Sequence, residues 1–67
     1  MIQVTVNGEN RELPNNSTVA HLVESLQLTG KRIAVELNGE IVPKSQHATT
    51  TLSQGASLEI VVAVGGG

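Results

Sequence analysis

Leu58-Glu59-Ile60-Val61-Val62-Ala63-Val64-Gly65-Gly66-Gly67 closes the chain, and the reading of this stretch decides the fold. Its first part is dense in Val and Ile, the composition of a strand buried in a sheet. Three glycines follow directly. A strand this apolar needs cover and neighbours, so the upstream residues read as a body built around it, with the glycines as a tail. Residues 1–64 are expected to form one domain and residues 65–67 a flexible extension. Without a Cβ on Gly65, Gly66 or Gly67 the tail fits a narrow channel, and three extended residues reach about 10 Å. The reactive group it offers is the α-carboxylate of Gly67, ionised at neutral pH. Phosphoryl activation by a nucleotide would turn that carboxylate into an acyl donor. The plainer reading is a frayed terminus without a task.

The rest of the chain supplies what the last strand needs. Ile2, Val4 and Val6 alternate with Gln3 and Thr5, the period of a strand with one buried face. Asn7-Gly8 is the signal for a tight hairpin, because both central residues of a type I′ turn take positive φ. A second strand from about Asn10 to Leu13 returns antiparallel with Leu13 inward, and Pro14 ends it. Asn15 to Thr18 is turn chemistry, with Ser17 or Thr18 placed to cap a helix. Val19, Leu22, Val23 and Leu26 then form one apolar stripe, leaving His21, Glu24 and Ser25 on the other side. Gly30 is the expected helix stop, followed by Lys31 and Arg32. Ile33, Val35 and Leu37 make a third strand. Asn38-Gly39 turns it into Glu40-Ile41-Val42, which Pro43 cuts off. Lys44 to Gln54 is polar and hard to assign, with Leu52 expected to point inward. The last strand begins near Ser57.

Two strands, a helix, two strands and a final strand bury their apolar faces most simply when the first and last lie side by side in a mixed sheet. The expected fold is therefore α+β, a β-grasp of four to five strands with one main helix across one face. If Leu58, Ile60 and Val62 face that helix, then Glu59, Val61 and Ala63 face outward, and Val61 and Ala63 with Ala34 beside them form an apolar patch. Such a patch at the root of the tail is a candidate docking surface for a partner.

Composition excludes several functions. The chain has no cysteine, so it has neither a disulfide nor a thiol nucleophile. A net charge of −2 and the absence of Phe, Trp and Tyr argue against nucleic-acid binding. No apolar run is long enough to span a membrane, and no signal-type segment opens the chain, so a cytoplasmic protein, monomeric when free, is expected. His21 and His47 join no catalytic triad, and no metal-ligand spacing is present. Gly30-Lys31 lacks the remaining residues of a phosphate-binding loop. The chain is not expected to be an enzyme or to bind a cofactor.

With the tail and body in view, the chain resembles the ThiS family of ubiquitin-like sulfur carriers for thiamine biosynthesis. The resemblance is carried by Thr18-Val19 with Leu22-Val23, by Ala34-Val35-Glu36-Leu37-Asn38-Gly39-Glu40-Ile41-Val42-Pro43, and by Leu58 through Gly67. It implies that a ThiF-like adenylyltransferase, using ATP and magnesium, converts the Gly67 carboxylate to an acyl adenylate. A cysteine persulfide of a sulfur donor would then attack, reductive release would leave a thiocarboxylate, and thiazole synthase would take the sulfur. Two positions depart from the family pattern: His47 stands where an aromatic residue is frequent, and Ala56 where an acidic one is common. Competing readings are a carrier for another pathway, such as the small subunit of molybdopterin synthase, a protein modifier joined to lysines, or a passive interaction module.

Overall fold

The computed structural model describes residues 1–63. Five strands and one α-helix follow in the order β1 (Ile2–Val6), β2 (Glu9–Leu13), α1 (Val19–Ser25), β3 (Ile33–Leu37), β4 (Glu40–Val42) and β5 (Ser57–Val62), with a 3₁₀ turn at Lys44–Gln46. The strands form one sheet in the order β2-β1-β5-β3-β4. β1 and β5 run parallel at its centre, and every other neighbouring pair is antiparallel. This is the β-grasp arrangement expected from the sequence. The expected boundary between residues 64 and 65, and the tail itself, lie outside the described residues.

Burial explains the strand order. The central strands carry the densest inward faces, Val4 and Val6 from β1 and Leu58 and Ile60 from β5, all buried. The edge strands need only one buried residue each, Leu13 in β2 and Val42 in β4. α1 lays Val19, Leu22 and Val23 onto this face, and Leu52 and Ala56 complete the core. The core cluster thus consists wholly of aliphatic side chains, each Val, Leu or Ile contributing on the order of 1.5–3 kcal/mol when fully buried. Ala56 lies within this cluster, so its side chain serves packing.

The helix is shorter than its apolar stripe suggests. It ends at Ser25, five residues before Gly30, with Leu26 as its C-cap. The Gln27 N–H donates to the Glu24 carbonyl and the Leu28 N–H to the Val23 carbonyl, both at 3.0 Å. This double bond pattern is a Schellman motif, with Gln27 at φ +60° in the place glycine normally takes. Gly30, at φ +85°, instead shapes the following turn, closed by the Lys31 N–H on the Leu28 carbonyl at 3.0 Å.

The start of the helix is secured from far along the chain. Thr18 is the N-cap, and its side chain accepts from the His21 N–H while His21 Nδ1 accepts from the Thr18 N–H. Exposed His21 therefore completes a capping box. The Val19 and Ala20 N–H groups donate to the carbonyls of Thr50 and His47 at 3.0 and 2.9 Å. The segment least legible in the sequence thus satisfies helix N–H groups that would otherwise be orphaned, and a Thr18–Thr51 bridge fastens the same junction.

Candidate functional site

The site is built around β5, because the tail continues from it. Two asparagines hold this strand by the same device. In each Asn-Gly turn both residues take positive φ, 52° and 84° at Asn7-Gly8 and 50° and 87° at Asn38-Gly39, as type I′ geometry requires. Each asparagine also extends the pairing of the strand it leaves. The Asn7 N–H donates to the Leu58 carbonyl at 2.9 Å. Its side chain then donates from Nδ2 to the Ile60 carbonyl at 3.1 Å and accepts the Ile60 N–H on Oδ1 at 2.8 Å. On the opposite side, the Asn38 N–H donates to the Ser57 carbonyl at 2.7 Å, and Asn38 Oδ1 accepts the Ser57 N–H at 3.0 Å. One clamp grips the start of β5 and the other its later half. Beyond that, the Ala63 N–H donates to the Arg32 carbonyl at 2.8 Å, continuing the pairing with the β3 side to the last described residue.

The outer face of the sheet at this end carries the residues anticipated from alternation. Val61 lies directly opposite Ala34 across β5 and β3, and Val61, Ala34 and Ala63 are all exposed. Val61 is 63% exposed, a high value for a branched aliphatic side chain. Val62 falls on the helix side of β5 as expected but lies at its rim, 41% exposed, beyond the cover of the short helix.

Two further features of this face were not anticipated. Ile41 pairs with Glu36 and is also 63% exposed, so it stands diagonally from Ala34 and enlarges the apolar patch. Its parity with inward Val42 was the available signal. Glu36 and Glu59 are direct partners across the same two strands, and like charges placed opposite one another oppose pairing. The apolar patch is therefore bordered by an acidic pair whose repulsion a cationic group on a partner would relieve.

His47 is 9% exposed and its Nε2 donates to the Val42 carbonyl at 3.1 Å. His47 thus ties the 44–48 segment to β4. Among the described residues no group of three or more His, Asp or Glu side chains converges as a metal site would require. No helix of the described residues is long and apolar enough to cross a membrane. The sequence-derived tail residues Gly65, Gly66 and Gly67 lie outside the described residues.

Comparison with known proteins gives this geometry its context. The model of the ThiS family matches residues 4–67. The chain belongs to the ThiS family. The crystal structure of the thiamine biosynthesis protein ThiS from Geobacter metallireducens superposes with a TM-score of 0.82 at 29% identity, covering 98% of this chain and all of that one. An NMR solution structure of a thiamine biosynthesis protein from the same organism gives 0.80 at 29% identity, covering 98% and 88% of the two chains. These ThiS neighbours share the ubiquitin-like β-grasp. A protein named thiazole synthase from Paramagnetospirillum magneticum is 41% identical over 98% of this chain, which spans 20% of that protein's length. An uncharacterised protein, ycf40, of Pyropia yezoensis is 32% identical, with 98% of this chain and 93% of that one covered.

Proposed function

We propose that this chain is a sulfur carrier of thiamine biosynthesis and that the α-carboxylate of Gly67 is its cargo site. The observation that carries the reading is the ThiS-family match, which runs through the terminal glycines to residue 67. In this reading residues 1–64 present residues 65–67 to successive cytoplasmic partners. A ThiF-like adenylyltransferase binds ATP and magnesium. The Gly67 carboxylate attacks the α-phosphorus of ATP, pyrophosphate leaves, and an acyl adenylate forms. The terminal sulfur of a cysteine persulfide on a donor protein attacks the acyl carbon and displaces AMP. Thiol reduction of the resulting acyl disulfide leaves a thiocarboxylate on Gly67, which thiazole synthase consumes.

The chain's own share is presentation. It has no cysteine to hold sulfur, and Gly67 brings no Cβ against an attacking nucleophile. Val61, Ala63 and Ala34 form the docking patch, with Ile41 extending it, and the Glu36–Glu59 pair meets a cation of the partner. The asparagine clamps keep β5 in register so that docking the patch delivers the tail to one place. Similarity to a protein named thiazole synthase supports a thiamine-pathway enzyme as the receiving partner.

The test is the intact mass of the chain after incubation with ATP, magnesium, a ThiF-like adenylyltransferase and a persulfide donor. Replacement of one oxygen by sulfur, mapped to Gly67, is the expected result. A chain ending at Gly65 is expected to remain unchanged. Sulfur acquired by that shortened chain, or isopeptide adducts on other proteins in place of the thiocarboxylate, would overturn the reading.

A further inference from the structure

An acidic protein has gathered its positive charge in one place. Of the chain's four Lys and Arg residues, Lys31, Arg32 and Lys44 line a single cleft of about 500 Å³, whereas only Glu24 of its six acidic residues does so. The cleft lies between the end of α1, the connection into β3 and the 3₁₀ segment, on the helix side of the sheet. Its local field is opposite in sign to the net charge of −2. Between the cations the lining is aliphatic, from Val23, Leu28 and Ile33.

The mixed lining selects among anions. A free phosphate offers the cations what they need but has nothing to rest on the aliphatic residues between them. A polypeptide offers both carboxylates and aliphatic side chains.

We propose that this cleft is a docking groove for an acidic segment of a partner protein. Its carboxylates meet Lys31, Arg32 and Lys44, and an aliphatic side chain rests on Val23, Leu28 and Ile33. The groove is separate from the outer patch, since Ile33 lines it while Ala34 stands on the opposite face of the same strand. It requires no chemistry at Gly67, so its test is independent of the carrier reading.

The experiment is a titration of the isotopically labelled full chain, followed by amide NMR shifts, with a synthetic peptide alternating glutamate and leucine. A glutamine-for-glutamate peptide and inorganic pyrophosphate serve as comparators. Shifts confined to residues 20–33 and 44–48, absent with the glutamine peptide, are expected. Combining Lys31→Glu, Arg32→Glu and Lys44→Glu, all at exposed positions, is expected to weaken binding by about tenfold or more. Pyrophosphate binding as tightly as the acidic peptide with the same shifts would reduce the groove to a bare anion site and overturn the proposal. So would peptide shifts centred on Val61 and Ala34, or no shifts at all.

Discussion

Replacing Asn7 by glycine separates the two tasks of this residue. Glycine accepts a φ of 52° without strain, so the turn survives while the amide that grips Ile60 is lost. Those two partly buried hydrogen bonds, at 2.8 and 3.1 Å, are together worth about 1–3 kcal/mol. The greater freedom of glycine in the unfolded chain costs about 0.5–1 kcal/mol more. Asn38→Gly is the matched control: its φ of 50° is nearly the same and it too precedes glycine, but it loses only one exposed side-chain bond, at 3.0 Å. The backbone contributions cancel between the two variants, leaving about 0.5–1.5 kcal/mol for the extra bond. In a domain of this size each kcal/mol moves the melting temperature by about 4–8 °C, so Asn7→Gly is expected to melt about 2–12 °C below Asn38→Gly. Thermal unfolding must be followed by far-ultraviolet circular dichroism, since the chain has no Trp, Tyr or Phe to report by fluorescence. Amide hydrogen exchange at Ile60 gives the local readout. Equal melting temperatures for the two variants, or unchanged protection at Ile60, would refute the clamp.

Gln27→Gly relieves the left-handed cost of an L-residue, about 1–2 kcal/mol, against a smaller entropic loss. It should stabilise the fold by about 0.5–1 kcal/mol, read as a higher urea midpoint at unchanged slope. Thr18→Ala should destabilise by about 1 kcal/mol. His21→Ala, at an exposed position, should lose about 0.5–1 kcal/mol by the same assay, and a neutral result would remove the histidine from the capping box. Glu59→Gln removes the cross-strand repulsion with Glu36 and should stabilise by about 0.2–1 kcal/mol, most visibly at low salt. Under the carrier reading the same change should weaken binding to a ThiF-like partner in calorimetry, and unaltered affinity would detach the acidic pair from docking.

The elements were legible where side chains carry the signal. Alternation gave β1 and β3, apolar density gave β5, the two Asn-Gly pairs gave both hairpins and with them β2 and β4, and the outward parity of Val61 and Ala34 gave the patch. Hidden features depend on backbone groups or on partners distant in sequence. The carbonyls of His47 and Thr50 that satisfy the helix N-terminus have no residue signature, so the 44–56 segment could not be read. Asn7 and Asn38 look equivalent in sequence because the turn they encode is the same. Their different grips on β5 appear only once the strands are placed. Helix length was overread because Leu26 continues the apolar stripe and Gly30 resembles a stop, whereas the Schellman bonds form three residues earlier around Gln27.

The parallel pairing of the first and last strands also gives the molecule two poles. Thr5 sits beside Ser57, so β5 begins beside the end of β1 and runs on past it in the same direction. Met1, four residues before that register point, and Ala63, six residues after it, are thus separated by about 33 Å at 3.3 Å per residue, most of the 38 Å long axis. Met1 is well exposed, at 70%. A surface anchor, a dye or a fused domain attached there would ride at the far end from Ala63. Immobilised through its amino end, the protein would stand with the root of its tail pointing into solution, a ready geometry for a sensor chip or a tethered single molecule.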